Sequence, residues 1–239
     1  MRLKLVIDTG SSCIPYEYHG FLQAAIYRAL EEKKADFYHN VGYESHNRHY
    51  KMFVFSDLKG NYYSDGKGLY FKENAKWYIS SLDPDFMNQL YIYFTFQGKI
   101  QIGKEVFDLV EVTPMVDEVR LKPSQEYWVQ TLSPVTCYKT DEKKYTTYFD
   151  PKSSDFENSV RTNLEGKLLT VLPDTENEFF EILEVQRSKM RIVKYKQMNI
   201  HAYNVRMKIR CSDNYLKILM HTGMGSKNSA GFGMLKLEY

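Results

Sequence analysis

Four glycines close together near the end of the sequence, Gly223, Gly225, Gly231 and Gly233, enclose Ser226, Lys227, Asn228 and Ser229 and constrain the fold more than any other segment. Glycine tolerates positive φ and leaves amide hydrogens uncovered, so such a loop can approach a phosphate closely, with Lys227 adding charge. A dinucleotide-binding turn would place glycine at 228, where Asn228 stands, and would need a helix, a second strand and an acidic residue about 20 positions later. The Gly-Lys-Ser/Thr triplet of a P-loop does not occur. The loop is followed by a short alternating run from Phe232 to Tyr239, so it is predicted to lead into a closing β-strand.

The chain has 239 residues, 43% of them hydrophobic, enough to bury a substantial core in one large or two smaller domains. Cys13, Cys137 and Cys211 are odd in number and far apart. That spacing argues against a disulfide framework or a Cys-x-x-Cys metal site and for a reducing compartment. No apolar run approaches the roughly 20 residues that span a bilayer, and Met1 to Asp8 is too short and too charged for a signal peptide. The expectation is a soluble cytoplasmic protein with no membrane partner. Its net charge of +2 hides an uneven distribution. Residues 141–186 hold 5 Lys+Arg against 11 Asp+Glu, whereas residues 187–239 hold 11 against 2. A local field of that kind attracts a polyanion.

Leu3, Leu5 and Ile7 alternate with Arg2, Lys4 and Asp8 and predict a half-buried strand. Within 21–34, Leu22, Ile26, Ala29 and Leu30 fall at helical spacing. Aromatic, β-forming runs over 52–58 and 68–81 predict a hairpin, Asp83 before Pro84 caps a helix over 85–94, and 105–113 supplies a closing strand. The same order is predicted after residue 120: a strand over 127–140, a helix over 154–168, strands over 189–196 and 202–211, a short helix over 213–221 and the final strand. Each half reads βαββαβ, so the expected fold is α+β, with two tandem ferredoxin-like domains over 1–120 and 121–239. On the predicted strands Arg206, Lys208 and Arg210 share one face opposite Val205, Met207 and Ile209. Arg187, Lys189 and Arg191 do the same opposite Ser188, Met190 and Ile192. Two adjacent basic faces predict a platform for a phosphate backbone.

The segment from His221 to Lys236, with its Asn-Ser-x-Gly-Phe-Gly core, resembles the C-terminal glycine-rich motif of the RAMP proteins. It is most similar to that of the CRISPR repeat-RNA processing endoribonucleases, the Cas-six family. Phe21 to Tyr27 resembles that family's first helix, Lys51 to Ser56 the strand after its active-site loop, and Leu132-Ser133-Pro134 a further family feature. The resemblance implies tandem ferredoxin-like domains and an endoribonuclease that binds precursor CRISPR RNA and cuts within the repeat. It also implies 2′,3′-cyclic phosphate and 5′-hydroxyl ends, with no metal and no cofactor. Such a cut needs a base for the 2′-hydroxyl, a cation for the phosphorane and a proton source for the departing oxygen.

Carried over position by position, the family's tyrosine, histidine and lysine fall on Tyr27, His39 and Lys51, which places catalysis in 1–120. The loop over 41–50 is longer than the family pattern and holds His46 and His49, either of which is an alternative base. A zinc site on His39, His46 and His49 would lack a cysteine or a placed fourth ligand. The resemblance assigns RNA binding to Gly223, Gly225, Ser226, Lys227, Asn228, Ser229, Gly231 and Gly233, beside the basic strands. Partners are then CRISPR repeat RNA and CRISPR effector-complex subunits, with the chain a monomer or homodimer. Two other readings stand beside this one: a non-cutting RAMP scaffold that holds CRISPR RNA, and a small-molecule phosphate enzyme that uses the glycine loop.

Overall fold

The apolar alternation of Leu3, Leu5 and Ile7 builds β1 (Arg2–Asp8), the central strand of an antiparallel sheet. The computed structural model of the chain describes residues 1–45, 47–115, 119–172 and 176–238. After β1 come α1 (Tyr18–Arg28), β2 (Phe53–Phe55), β3 (Ala75–Ser81), α2 (Pro84–Gln97), β4 (Lys99–Ile102) and β5 (Glu105–Met115), with shorter pieces between them. The strands lie in the order β2-β3-β1-β5-β4. With β4 as an added edge strand, this is the ferredoxin-like arrangement. The start of α2 follows from its cap: the Asp83 carboxylate accepts from the N–H groups of Asp85 and Phe86 at 2.9 and 3.1 Å, with Pro84 in the first turn.

The second half repeats the plan with β6 (Glu126–Thr131), α3 (Ser154–Leu169), β7 (Phe180–Tyr195), β8 (Met198–Cys211), α4 (Asp213–Thr222) and β9 (Leu235–Glu238). Its sheet runs β7-β8-β6-β9, the same order as in the first half. Val205, Met207 and Ile209 turn inward to join Val160 and Leu164 of α3 and Leu216 and Leu219 of α4 in one core. No described helix is long and apolar enough to cross a membrane.

Three predicted elements are redrawn. The helix expected over 21–34 ends after Arg28, where the Glu31 N–H is taken by Gln89 Oε1 at 3.1 Å. A separate turn, Glu32–Asp36, leads into a wider one at Phe37–Val41, which Gly42 closes by donating to Phe37 O at 2.7 Å. The run expected over 68–81 splits: β3 pairs with β2, while Gly68–Phe71 pairs with Tyr62–Ser64 and Ile14–Pro15. The strand expected over 127–140 stops at Thr131, before Pro134, which has no N–H to give a ladder, and Tyr138–Thr140 pairs with Thr146–Tyr148 instead.

The interrupted strand joins the two halves. Asp57 N–H donates to Leu132 O at 3.1 Å, Ser133 Oγ to Phe55 O at 3.0 Å, and Gly233 N–H to Pro134 O at 2.9 Å. Leu132-Ser133-Pro134 thus ties β2 of the first sheet to the glycine segment of the second.

Candidate active site

Tyr38 sets the direction of His39. Its ring is fully buried against Phe53 and Phe86, and its hydroxyl donates to Asp83 Oδ2 at 2.9 Å, so the next residue in the turn is left facing solvent. There the His39 ring meets the Tyr27 ring of α1 edge to face, with centroids 5.2 Å apart. Lys51, just before β2, donates from Nζ to His39 O at 3.0 Å. The three residues singled out from the sequence therefore meet at one turn. His49 is exposed on the short strand Arg48–Tyr50, and His46 lies outside the described residues.

The partners of these groups assign their protons. Asn40 Nδ2 donates to Asp36 Oδ1, which aims Asn40 Oδ1 at His39 Nδ1, 2.7 Å away. An amide oxygen only accepts, so Nδ1 carries a hydrogen, and in the neutral ring Nε2 presents the lone pair. Burial, with Tyr195 nearby, pushes the Tyr27 hydroxyl up to about 12, which keeps it a donor at neutral pH. Burial also lowers the Lys51 ammonium from its ordinary value. A proton acceptor, a proton donor and a cation converge here.

The glycine segment packs more than it displays. Its four glycines all have positive φ, between +71° and +87°. A Cβ on Gly233 would lie 2.0 Å from Met224 O, and one on Gly231 would lie 2.4 Å from Phe55 Cε2, so the segment folds tightly on itself and on β2. Gly223, Gly225 and Asn228 are buried with them. Asn228 Nδ2 donates to Met224 O and Phe232 O at 3.1 and 2.9 Å, and Oδ1 accepts from Lys167 Nζ at 2.7 Å. Of the eight loop residues assigned to RNA, Ser226, Lys227 and Ser229 keep partial exposure.

Sequence reasoning missed Lys167. It is buried, and beyond Asn228 its Nζ donates to Thr222 O and Gly223 O at 3.2 and 2.8 Å, at the C-terminal end of α4. Burial draws this ammonium down to about 7, while its three acceptors call for the three hydrogens of the charged form. The available signal was its position on the apolar stripe of α3, seven residues after Val160.

The basic strands are largely compensated. Arg206 pairs with Glu238 at 2.7 Å and lies over the Trp128 ring, Lys208 pairs with Glu126 at 2.6 Å, and Arg210 pairs with Glu181 at 2.6 Å. Arg187 and Lys189 are exposed on β7. Arg191 has a different place from the outward one expected: its Nη1 donates to Asp57 Oδ2 at 2.7 Å, and Asp57 Oδ1 accepts from buried His19 Nε2 at 2.8 Å. Both of its neighbours come from the first half.

Between the Arg48–Phe53 segment, α3 and the glycine segment lies a cavity of about 810 Å³. Lys51 borders it from one side and Lys227 from another. Residues 116–237 match the family model of CRISPR associated protein Cas6, C-terminal, and residues 13–113 match that of CRISPR-associated protein Cas6, N-terminal. The chain belongs to the Cas6 family. Among Cas6 relatives, the CRISPR-associated endoribonuclease Cas6 of Pyrococcus furiosus is 27% identical over 233 residues, 94% of this chain and 84% of the relative. CRISPR-associated endoribonuclease Cas6 1 of Methanocaldococcus jannaschii is 26% identical over 255 residues, 98% of this chain and 92% of the relative. A solved RAMP protein described as binding different RNA substrates superposes over the full length of both chains with a TM-score of 0.84 at 19% identity. A solved CRISPR associated protein Cas6 does so over 100% of this chain and 99% of its own, with a TM-score of 0.78 at 23% identity. The tandem ferredoxin-like fold is therefore that of Cas6.

Proposed function

We propose that this chain is an endoribonuclease that processes precursor CRISPR RNA by cutting within the repeat, without a metal ion. The observation that carries the reading is the meeting of Tyr27, His39 and Lys51 around one turn, in a family whose relatives are named endoribonucleases. His39 Nε2 takes the proton of the 2′-hydroxyl, and O2′ attacks the adjacent phosphorus. Lys51 stabilises the negative charge that builds up on the phosphorane oxygens. The bond from phosphorus to O5′ breaks, and O5′ takes a proton from the Tyr27 hydroxyl. The products are a 2′,3′-cyclic phosphate and a 5′-hydroxyl, and exchange with water returns His39 and Tyr27 to their starting forms. In this arrangement residues 1–120 supply the chemistry, and residues 121–239 hold the RNA through the outward part of the glycine segment. Three free cysteines, two of them buried, support a reducing cytoplasmic setting.

The test is cleavage of the repeat RNA encoded beside the gene, with both product ends mapped. His39→Ala is expected to cut at least about 10²-fold more slowly with little change in Kd, and wild-type cutting is expected to persist in EDTA. A His39→Ala protein that cuts at the wild-type rate moves the base to His46 or His49. Loss of activity in EDTA with rescue by a divalent ion overturns the metal-free route.

A further inference from the structure

Beside the apolar stripe that joins the core, the helix α3 carries a polar face. Asp155, Asn158, Ser159, Thr162 and Asn163 recur at intervals of three and four, and all of them line the 810 Å³ cavity. Asn163 Oδ1 is buried and has no hydrogen-bond partner among the described residues. An amide left unsatisfied beside a cavity is costly unless something enters to meet it.

The remaining walls indicate what enters. Tyr138 and Phe149 supply aromatic surface, and Lys227 Nζ sits 5.4 Å from the centre of the Tyr138 ring. Arg48, Lys51 and Lys227 bring cations to the rim, against the single carboxylate of Asp155. The volume lies in the usual range for a small-molecule site, about 300–1,000 Å³, and suits one nucleotide rather than a duplex. Aromatic surface for a base face, amide and hydroxyl groups for a base edge, and cations for a phosphate are together the recognition set of an unpaired nucleotide.

We infer that this cavity holds one unpaired nucleotide of the bound RNA and that Asn158 and Asn163 on α3 read the edge of its base. The inference rests on the RNA binding proposed above and does not require the cut itself. It makes the Asn pair a determinant of which repeat is recognised, separate from the Tyr27, His39 and Lys51 turn.

The experiment measures RNA affinity in a His39→Ala background, using the single-stranded repeat RNA with an abasic nucleotide moved through it one position at a time. One position is expected to weaken binding by about tenfold to a hundredfold when its base is removed. Adding Asn158→Ala and Asn163→Ala together is expected to abolish sensitivity at that position while sparing the others. Because Asn163 Oδ1 gives up no bond on replacement and Asn158 Oδ1 gives up only a long, exposed one from Arg161 Nη1 at 3.4 Å, the triple variant should melt close to its His39→Ala parent. Thr162→Val serves as a second, milder variant and is expected to shrink the same penalty. An unchanged abasic profile in the folded Asn variant, a flat profile in the parent, or no measurable RNA binding overturns the inference. A protein that shows the profile yet never cuts repeat RNA overturns only the nuclease reading.

Discussion

At the scale of single residues, burial decides which of the histidines can act. His39 is exposed, its Nδ1 held by Asn40, whereas His221 is tucked beside Ser80, its Nδ1 3.1 Å from Ser80 Oγ. Burial, with the N-terminal ammonium and Arg2 nearby, lowers His221 from 6.5 to about 4. A folded value below the unfolded one means that the neutral ring favours folding. That contribution is complete above pH 6.5 and is lost as the pH falls towards 4. Between those limits the urea midpoint of the wild type is expected to fall further than that of His221→Gln, and parallel declines would refute the assignment. That Tyr27, His39 and Lys51 lie together was legible because each stands in a recognisable stretch of sequence. Lys167 was not, because nothing in a lone lysine on an apolar stripe says that three oxygens wait for it.

At the scale of elements, the glycine segment was recognised by composition, and its geometry explains that composition. Gly233→Ala would combine a strained φ of +78° with a methyl 2.0 Å from the Met224 backbone oxygen. It is expected to destabilise the protein by about 3 kcal/mol or more. Gly20→Ala, which meets open space within α1, should be neutral or slightly stabilising. Comparable losses in the two variants, read by thermal melting, would mean that packing around the segment is looser than described. The basic strands lead to a separate expectation. Lys227→Ala should reduce the salt dependence of RNA binding by roughly 0.7 in log–log slope, the value for one single-strand phosphate contact. Arg206→Ala should change the slope less, since Glu238 already compensates that charge. Equal changes would return the phosphate path to β8.

At the scale of the whole molecule, the two halves are locked by charges that lie far apart in the chain. Asp57 is buried between His19 and Arg191, and against that burial the His19 hydrogen bond and the Arg191 guanidinium hold its carboxyl well below the usual carboxylate range. Asp57→Ala would leave His19 and the partly exposed Arg191 without their acceptor, at an expected cost of about 2–3 kcal/mol in urea unfolding. A loss under about 1 kcal/mol would show the junction to be dispensable. The positive excess of residues 187–239 is treated in the same way: Arg191, Lys194, Lys208 and Arg210 pair with Asp57, Glu17, Glu126 and Glu181, all from earlier in the chain. The doubled βαββαβ order, the capped start of α2 at Asp83 and the inward faces of the strands were all written in the sequence, because periodicity, caps and turn residues act over a few neighbours. The sequence also marked the turn proposed for catalysis and the glycine segment by local motif. What had to wait for the folded molecule was which cations are paired with carboxylates, that Asn228 and Lys167 face inward, and that the polar face of α3 borders a cavity. Each of those depends on partners brought together from distant positions, and charge or polarity along the chain does not reveal which groups will meet.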